Sequence, residues 1–310
     1  MARVIEVTKQ FRLAGQLDTN RLGFGAMRLP TGGFRAAARD PEVGRAVLRR
    51  AVALGVNHID TAAFYESGDG TVRANVLIRE ALSPYPPELV IATKVGPAFG
   101  PDGPRQLPAA GLRAAVEENL RTLGLDRLDL VYLRIGRMEV PHGEHVAERF
   151  EALATLREEG LIRHLGLSNV DLAQLQEASA IAPVVAVQNS FHVAKRDDAD
   201  LLATCTSRGI AFAPFFPLGG GGTDIDDPRL AQVAARHGAT PPQIALAWLL
   251  AISPVTLAIP GTGSLAHLEE NVAAGAIALT DEDLAELSAA EPSGRTRRAA
   301  ELPRSPRPRG

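Results

Sequence analysis

The chain has 310 residues, of which 45% are hydrophobic and 22% are charged, and its formal net charge is -3. This balance is typical of a globular protein with a buried core, so it excludes a disordered chain and gives no electrostatic basis for nucleic-acid binding. The single cysteine, Cys205, excludes an intramolecular disulfide. The sequence has no signal peptide and no apolar stretch long enough to cross a membrane, which predicts a cytoplasmic protein.

A small hairpin is predicted near the start of the chain. Residues 11–13 and Leu17 are largely apolar and flank the pair Ala14 and Gly15. Two short apolar runs around a glycine-containing turn are typical of a β-hairpin. We expect this hairpin to act as a plug under the floor of the sheet that follows.

Eight short runs rich in β-branched residues follow, and segments with helical periodicity lie between them. Several of these runs are apolar almost throughout, as in strands buried on both faces. The alternation predicts one parallel α/β domain over residues 1–290, and eight units favour a closed (β/α)8 TIM barrel over an open sheet with fewer strands. The predicted strands are 21–25, 57–61, 89–95, 128–135, 164–167, 184–188, 210–215 and 255–259. The predicted helices are 42–54, 108–123, 143–159, 171–180, 241–252 and 281–289, and a further helix is predicted directly after the glycine-rich turn that ends the eighth strand.

The last twenty residues differ in composition from the rest of the chain. Residues 291–310 are rich in proline and arginine and nearly lack large apolar side chains. Such a segment cannot bury enough surface to fold, so we predict a disordered C-terminal tail.

In a barrel of this kind the active site forms at the carboxyl ends of the strands. Asp60 ends the second predicted strand, Tyr65 follows it, and Lys94 ends the third. A neighbouring ammonium lowers the pKa of a tyrosine, and a carboxylate beyond it keeps the ammonium charged. A tyrosine tuned in this way suits protonation of a carbonyl oxygen while hydride reaches the carbon.

Seven segments, in order, resemble the aldo-keto reductase superfamily over most of the chain. They are LGFGAMRL, HIDTAAFY, VIATKVG, LGLSN, AVQN, FFPLG and IPGTGSLAHLEENVAA. The resemblance implies NAD(P)H-dependent carbonyl reduction on a (β/α)8 barrel, with a small-molecule carbonyl substrate and no metal. Asp60, Tyr65 and Lys94 match the family's catalytic residues.

The resemblance also implies how the cofactor is held. Ser168, Asn169 and Gln188 match the residues that bind the nicotinamide carboxamide, and Phe215 matches the aromatic residue that stacks on the ring. Leu218 and Gly219 open the loop over the pyrophosphate. The positions implied for the adenosine end are Gly261, Thr262, Gly263, His267, Glu270 and Asn271.

The sequence departs from the family's pattern at Arg134, which stands where a catalytic histidine is usual. An arginine stays cationic and only donates hydrogen bonds, so it cannot relay a proton. We expect Arg134 to orient the carbonyl oxygen or an anionic substrate group. With arginine at this position, the sequence resembles a bacterial branch of the family whose members are similar to pyridoxal reductases.

A second departure concerns the 2′-phosphate of NADPH. The family often has lysine and arginine at the positions of Gly261 and His267, and neither is present here. We expect NADPH as the cofactor, with NADH as the alternative.

The loops expected to set substrate specificity are residues 96–107, 134–145 and 218–227. Their composition suits an anionic group on an aromatic or polyketide-like carbonyl, or pyridoxal. Two other functions stay open from the sequence: a catalytically weak, NADPH-binding regulatory protein on the same scaffold, and a barrel lyase that uses Lys94 as a Schiff base. The residues that suggest the substrate are Phe99, Arg105, Arg134, Arg137, Met138 and His142.

Overall fold

A computed structural model describes residues 3–33, 35–100, 103–136, 138–221 and 227–289. Its strands are β1 (Gln10–Leu13), β2 (Leu17–Asn20), β3 (Phe24–Gly25), β4 (His58–Asp60), β5 (Val90–Val95), β6 (Pro97–Gly100), β7 (Gly103–Gln106), β8 (Leu128–Arg134), β9 (Ile162–Ser168), β10 (Val184–Gln188) and β11 (Ala211–Phe212). Its helices are α1 (Pro41–Ala53), α2 (Ala74–Leu82), α3 (Ala109–Leu123), α4 (Ala147–Glu158), α5 (Leu172–Ser179), α6 (Ala199–Arg208), α7 (Pro228–His237), α8 (Pro241–Ile252), α9 (Leu265–Ala273) and α10 (Asp281–Ser288).

The central sheet is parallel and closes on itself. Its strands hydrogen-bond in the order β3, β4, β5, β8, β9, β10, β11. Residues 255–259 join the two ends, because Thr256 bridges Phe212 of β11 and Ala258 bridges Leu22 beside β3. The predicted (β/α)8 barrel is therefore confirmed. The eighth predicted strand contributes isolated bridges instead of a continuous ladder.

A buried arginine reinforces this closure. Arg21 is 2% exposed, and its Nε donates to the carbonyl of Thr256 over 3.1 Å while its Nη2 donates to that of Leu250 over 2.7 Å. Burial lowers its pKa to about 10, so it remains charged at neutral pH. The Arg21 side chain thus connects the segment before β3 to residues 250–256 at the other end of the barrel sheet. This role was not predicted from the sequence.

The core has an inner and an outer part because the strand side chains alternate between the two faces of the barrel. The inner cluster is small and includes Ala92, Leu130 and Tyr132. Leu13 of the β1–β2 hairpin belongs to the same cluster, which confirms the predicted plug. A larger cluster, with Leu48 and Phe150 among its members, packs the helices against the outer face.

Local sequence explains where most helices begin and end. Helix α1 begins after Asp40, whose side chain accepts from the amide of Glu42, and α3 ends at Gly124 in the left-handed conformation with φ 67°. Helices α5 and α8 begin with capping boxes at Asp171 and Thr240. None of the helices in the described ranges is long and apolar enough to cross a membrane.

The structure differs from the sequence prediction in two respects. Helices α2, α6 and α7 were not predicted; α2 and α6 begin without a side-chain cap, so the sequence signal for their start is weak. The expected loop 96–107 contains the antiparallel pair β6–β7. The tail predicted for 291–310 lies outside the described residues, and the division of the chain into one domain and a tail stays a prediction.

Candidate active site

Asp60, Lys94 and Tyr65 meet at one edge of the barrel, because β4 and β5 are neighbouring parallel strands whose carboxyl ends coincide. The Nζ of Lys94 lies 2.6 Å from Oδ2 of Asp60 and donates to the carbonyl of Thr61 over 3.1 Å. The same Nζ lies 4.8 Å from the centroid of the Tyr65 ring. Lys94 is 2% exposed and Asp60 is 4% exposed, so the pair is almost fully screened from solvent.

The environment keeps Lys94 protonated. Burial by itself lowers the pKa of the ammonium, but the charge of Asp60 and the neighbouring Tyr65 outweigh burial and raise the pKa above its ordinary value. The lysine is therefore a permanent cation beside the tyrosine. It is not a neutral amine available for Schiff-base formation.

The pKa of Tyr65 differs from the expectation based on the sequence. We expected the ammonium to lower the pKa of the phenol, but burial raises it above its ordinary value, and Lys94 only partly opposes this effect. Desolvation of a tyrosinate outweighs one nearby cation whose charge is itself balanced by Asp60. Tyr65 is therefore a protonated phenol at neutral pH, in the state that a proton donor requires.

Gln188 holds the other side of the Asp60 carboxylate. Its Nε2 donates to Oδ1 of Asp60 over 2.8 Å, while its Oε1 is buried and has no hydrogen-bond partner among the described residues. A buried acceptor without a donor is costly. This orphaned oxygen is suited to accept from the amide group of a ligand.

Asn169 follows β9 in a left-handed conformation with φ 65°. Its Nδ2 donates to the carbonyls of Ile135 and Glu139 over 3.0 and 2.7 Å. These contacts tie the end of β9 to the loop after β8. Asn169 is thus held rigidly next to Ser168.

Arg134 reaches two of the residues expected to hold the nicotinamide. Its Nη1 donates to Oγ of Ser168 over 3.0 Å, and its Cζ lies 4.7 Å from the centroid of the Phe215 ring. Burial lowers the pKa of its guanidinium, yet an arginine remains charged at any physiological pH. The substitution for histidine therefore places a permanent hydrogen-bond donor beside Tyr65.

A cleft of about 820 Å³ opens beside these residues. The predicted site residues that line it are Asp60, Tyr65, Phe215, Leu218, Gly261, Thr262, Gly263 and His267. Lys94, Ser168, Asn169 and Gln188 are buried. Gly219 lies in the turn Gly219–Gly221 after the barrel's seventh strand.

Two predicted residues at the adenosine end do not line this cleft. The carboxylate of Glu270 accepts from the hydroxyl of Thr240, and the backbone carbonyl of Glu270 accepts from Gln243 over 3.0 Å. Asn271 is buried within α9. Glu270 therefore contacts the start of α8, a contact that the sequence did not indicate.

The cleft lining also contains residues that the sequence did not point to, among them Met27, Arg28, Arg39 and Phe216. The first three follow the first barrel strand, a strand end at which no site residue was predicted. Arg28 directly follows the segment LGFGAM at the end of the first strand. Its position at a strand end is therefore the sequence signal that marks it as a candidate. Arg39 lies farther along, and only the folded loop brings it to the cleft.

The cleft fits a nicotinamide dinucleotide. Gly261 and Gly25 both line the cleft and are packed so closely that a Cβ on Gly261 would lie 2.5 Å from the Gly25 carbonyl oxygen, so no side chain fits at position 261. Arg28 and Arg39 supply cations in the cleft lining. Gln188, whose Oε1 is the orphaned acceptor, is buried behind the cleft residue Asp60. Glycine-rich turns and cations are the groups that bind phosphates. The described residues hold no cluster of His, Cys, Asp and Glu able to bind a metal ion.

A closed parallel barrel with a buried Asp–Lys pair beside a tyrosine, next to such a cleft, defines a barrel oxidoreductase. The family model described as "Aldo/keto reductase family" matches residues 21–292. The chain belongs to the aldo/keto reductase family. It is an enzyme that reduces aldehydes or ketones with a nicotinamide cofactor, as the sequence segments indicated.

Known relatives agree with this assignment. The chain is 48% identical over 278 residues to the protein named pyridoxine 4-dehydrogenase from Escherichia coli, covering 88% of this chain and 95% of that protein. An aldo/keto reductase from Klebsiella pneumoniae, solved with NADP and acetate, superposes with a TM-score of 0.76 at 28% identity and covers 92% of this chain and 96% of the other. A second structure from that organism, solved with NADPH, has the same TM-score and identity and covers 93% and 96%.

Proposed function

We propose that this enzyme reduces the aldehyde of pyridoxal, or of a closely similar aromatic aldehyde, with NADPH and with Tyr65 as the proton donor. The observation that carries the proposal is the buried Lys94–Asp60 pair, 2.6 Å from Nζ to Oδ2, beside a tyrosine at the mouth of the cleft. The cofactor, when bound, supplies the hydride that reaches the carbonyl carbon.

The protein's own residues control the proton. The hydroxyl of Tyr65 donates its proton to the carbonyl oxygen as negative charge develops there. The tyrosinate left behind is stabilised by Lys94, whose charge is held in place by Asp60. Gln188 fixes the remaining carboxylate oxygen over 2.8 Å, so Asp60 is not free to rotate away. All three side chains are preorganised before substrate arrives.

We assign Arg134 an orienting role. Its guanidinium is buried beside Tyr65 and donates hydrogen bonds without taking protons. In this position it directs the carbonyl oxygen, or an anionic oxygen next to it, toward the Tyr65 hydroxyl. The missing histidine therefore leaves Tyr65 as the proton donor of the site.

We propose that the nicotinamide amide group binds at Ser168, Asn169 and Gln188, where Oε1 of Gln188 is the orphaned acceptor. Phe215 offers the ring face on which the nicotinamide stacks, and Leu218 and Gly219 begin the loop over the pyrophosphate. The turn Gly261–Thr262–Gly263 receives the adenosine end, with His267 at its exposed edge.

Aromatic side chains beside Tyr65 support an aromatic substrate. The Phe64 ring packs edge-on against Tyr65 with 5.2 Å between centroids, and it lies tilted against Phe99 with 5.7 Å between centroids. Arg35 lies over the Phe99 ring at 5.4 Å. A planar heteroaromatic aldehyde suits such a wall. The relative at 48% identity, named for pyridoxine oxidation, points to the same substrate.

The test is NADPH-dependent reduction of pyridoxal by the wild-type protein and by Tyr65→Phe. We expect turnover in the wild type and a loss of about 100- to 10,000-fold in kcat in the variant, which is the usual contribution of general acid catalysis. Tyr85→Phe is the matched control, because its hydroxyl donates to the carbonyl of Leu123 over 2.7 Å outside the cleft.

Full turnover by Tyr65→Phe would exclude Tyr65 as the proton donor. The regulatory alternative gives a different result, namely tight NADPH binding by the wild type with no turnover of pyridoxal or of a panel of other aldehydes. Absence of binding to both NADPH and NADH would exclude the proposed function altogether.

A further inference from the structure

Two arginines from the segment between β3 and α1 line the cleft, and the sequence resemblance assigns a role to neither. Arg28 lies in the turn after β3, and Arg39 directly precedes Asp40, the cap of α1. Both donate to backbone carbonyls, and neither forms an ion pair with a carboxylate in the part of the chain that the structure describes. The carboxylate of Asp40 belongs to the same cleft lining, but it accepts from the amide of Glu42 and pairs with neither arginine. Two cations without an ion-pair partner at a cleft indicate an anionic ligand.

Arg39 lies against the glycine-rich turn on the far side of the cleft. A Cβ on Gly263 would lie 1.7 Å from its Nη1, so the guanidinium fills the space that a side chain at position 263 would take. The same Nη1 donates to the carbonyl of Arg28 over 3.3 Å. Arg39 is thus held beside the residue that precedes Ser264, the cap of α9.

The turn itself has no room for a cation of its own. Gly261 stands where the resemblance places a lysine, but a Cβ there would lie 2.5 Å from the carbonyl oxygen of Gly25. Because that contact is with backbone, a lysine at position 261 requires a shift of the barrel strand. The positive charge at this end of the cleft has to come from another element, and Arg39 is the side chain that reaches it.

Arg28 is committed to a different contact. Its Nη2 donates to the carbonyl of Gly220 over 2.6 Å, and its Nη1 donates to the carbonyl of Gly32. These bonds tie the first loop to the turn Gly219–Gly221 on the opposite rim. Arg28 therefore contacts the turn Gly219–Gly221, whereas Arg39 contacts the turn before α9.

We propose that Arg39 is the specificity-determining residue for the cofactor and selects NADPH over NADH by pairing with the 2′-phosphate. This inference rests on the proposed function, because it takes the turn 261–263 as the adenosine end. A guanidinium matches a phosphate monoester with two parallel hydrogen bonds. NADH carries a neutral 2′-hydroxyl instead of the 2′-phosphate, so it offers no negative charge to Arg39.

The test measures binding, with fragments that isolate the phosphate. Dissociation constants are measured by calorimetry for NADPH and NADH, and for 2′,5′-ADP and 5′-ADP, in the wild type and in Arg39→Gln. We expect Arg39→Gln to weaken NADPH and 2′,5′-ADP by about 10- to 100-fold, the usual strength of a charge-assisted hydrogen bond. NADH and 5′-ADP are expected to change less than about twofold, since they lack the 2′-phosphate.

Two variants serve as controls. Arg49→Gln removes an exposed arginine of α1 that does not line the cleft, and it is expected to leave all four constants unchanged. Arg39→Lys keeps the charge but loses the planar fork, so part of the preference for the 2′-phosphate is expected to remain.

Equal weakening of NADPH and NADH by Arg39→Gln, or no change in either, overturns the proposal. It is also overturned if His267→Asn removes the preference while Arg39→Gln keeps it. Wild-type protein that binds NADH as tightly as NADPH contradicts this inference alone, because reduction of pyridoxal can still proceed. Wild-type protein that binds neither cofactor contradicts the proposed function instead.

Discussion

Replacing Lys94 with methionine tests the electrostatics of the site most directly. The ammonium lies 4.8 Å from the centroid of the Tyr65 ring and 2.6 Å from Asp60. Lys94→Met keeps a side chain of similar length but removes the charge that opposes the effect of burial on Tyr65. The tyrosinate then loses its stabilising cation while the Asp60 carboxylate stays close by.

The size of the effect follows from Coulomb's law. Two unit charges 4.8 Å apart, the distance from Nζ to the ring centroid, interact by about 3.5 kcal/mol at an effective dielectric constant of about 20. That energy corresponds to a factor of about 300 in the population of tyrosinate. In the proposed mechanism, oxidation of pyridoxine uses the tyrosinate of Tyr65 as proton acceptor, so its pH profile is expected to move to higher pH and its rate at pH 8 to fall by about that factor.

The assay is the pH dependence of kcat for pyridoxine oxidation with NADP⁺, together with urea unfolding. Lys94→Met leaves Asp60 buried without its partner, so we expect a loss of about 3–5 kcal/mol in the free energy of unfolding. The double variant Asp60→Asn/Lys94→Met removes both charges and is expected to recover stability but not activity. If both variants oxidise pyridoxine with the wild-type pH profile, the electrostatic reasoning is refuted.

Two further predictions concern buried groups that take no part in the proposed proton transfer. Burial lowers the pKa of His58 to about 4, so it is neutral in the fold and protonates on unfolding; the free energy of unfolding is expected to fall by about 3 kcal/mol as the pH drops from 6.5 to 4, and His58→Gln is expected to flatten this slope in urea titrations. Burial raises the pKa of the Cys205 thiol to about 12, so native protein is expected to react with a thiol reagent only after unfolding; rapid stoichiometric labelling of native protein would contradict this.

The fold was largely predictable because it depends on local pattern. The apolar strand runs and the starts and ends of helices such as α1 and α3 are visible in the chain itself, through Asp40 and Gly124. The missed helices α2 and α6 lack a side-chain cap at their first residue. For these two, packing against the barrel determines the helix, and packing is not visible in one stretch of sequence.

The site was predictable where it consists of strand ends. Asp60 and Lys94 end neighbouring strands, so parallel topology alone brings them together. The pKa of Tyr65 was not predictable, because its direction depends on how completely the fold buries the phenol relative to one ammonium. The hydrogen bond from Gln188 to Asp60 likewise joins residues 128 positions apart in the chain.

Arg134 and Arg39 show the same difference between what local sequence reveals and what the tertiary structure decides. Arg134 was recognised as a departure from the family's pattern because it occupies a fixed register position at the end of β8. Arg39 was not recognised as a site residue, because it precedes the turn 261–263 by more than two hundred residues in the chain. Only the closed barrel brings the two together. The sequence by itself determined the barrel, the family and the identity of the chemical groups. The tertiary structure decided their burial and their long-range partners, since desolvation and close approach depend on distances between residues far apart in the chain.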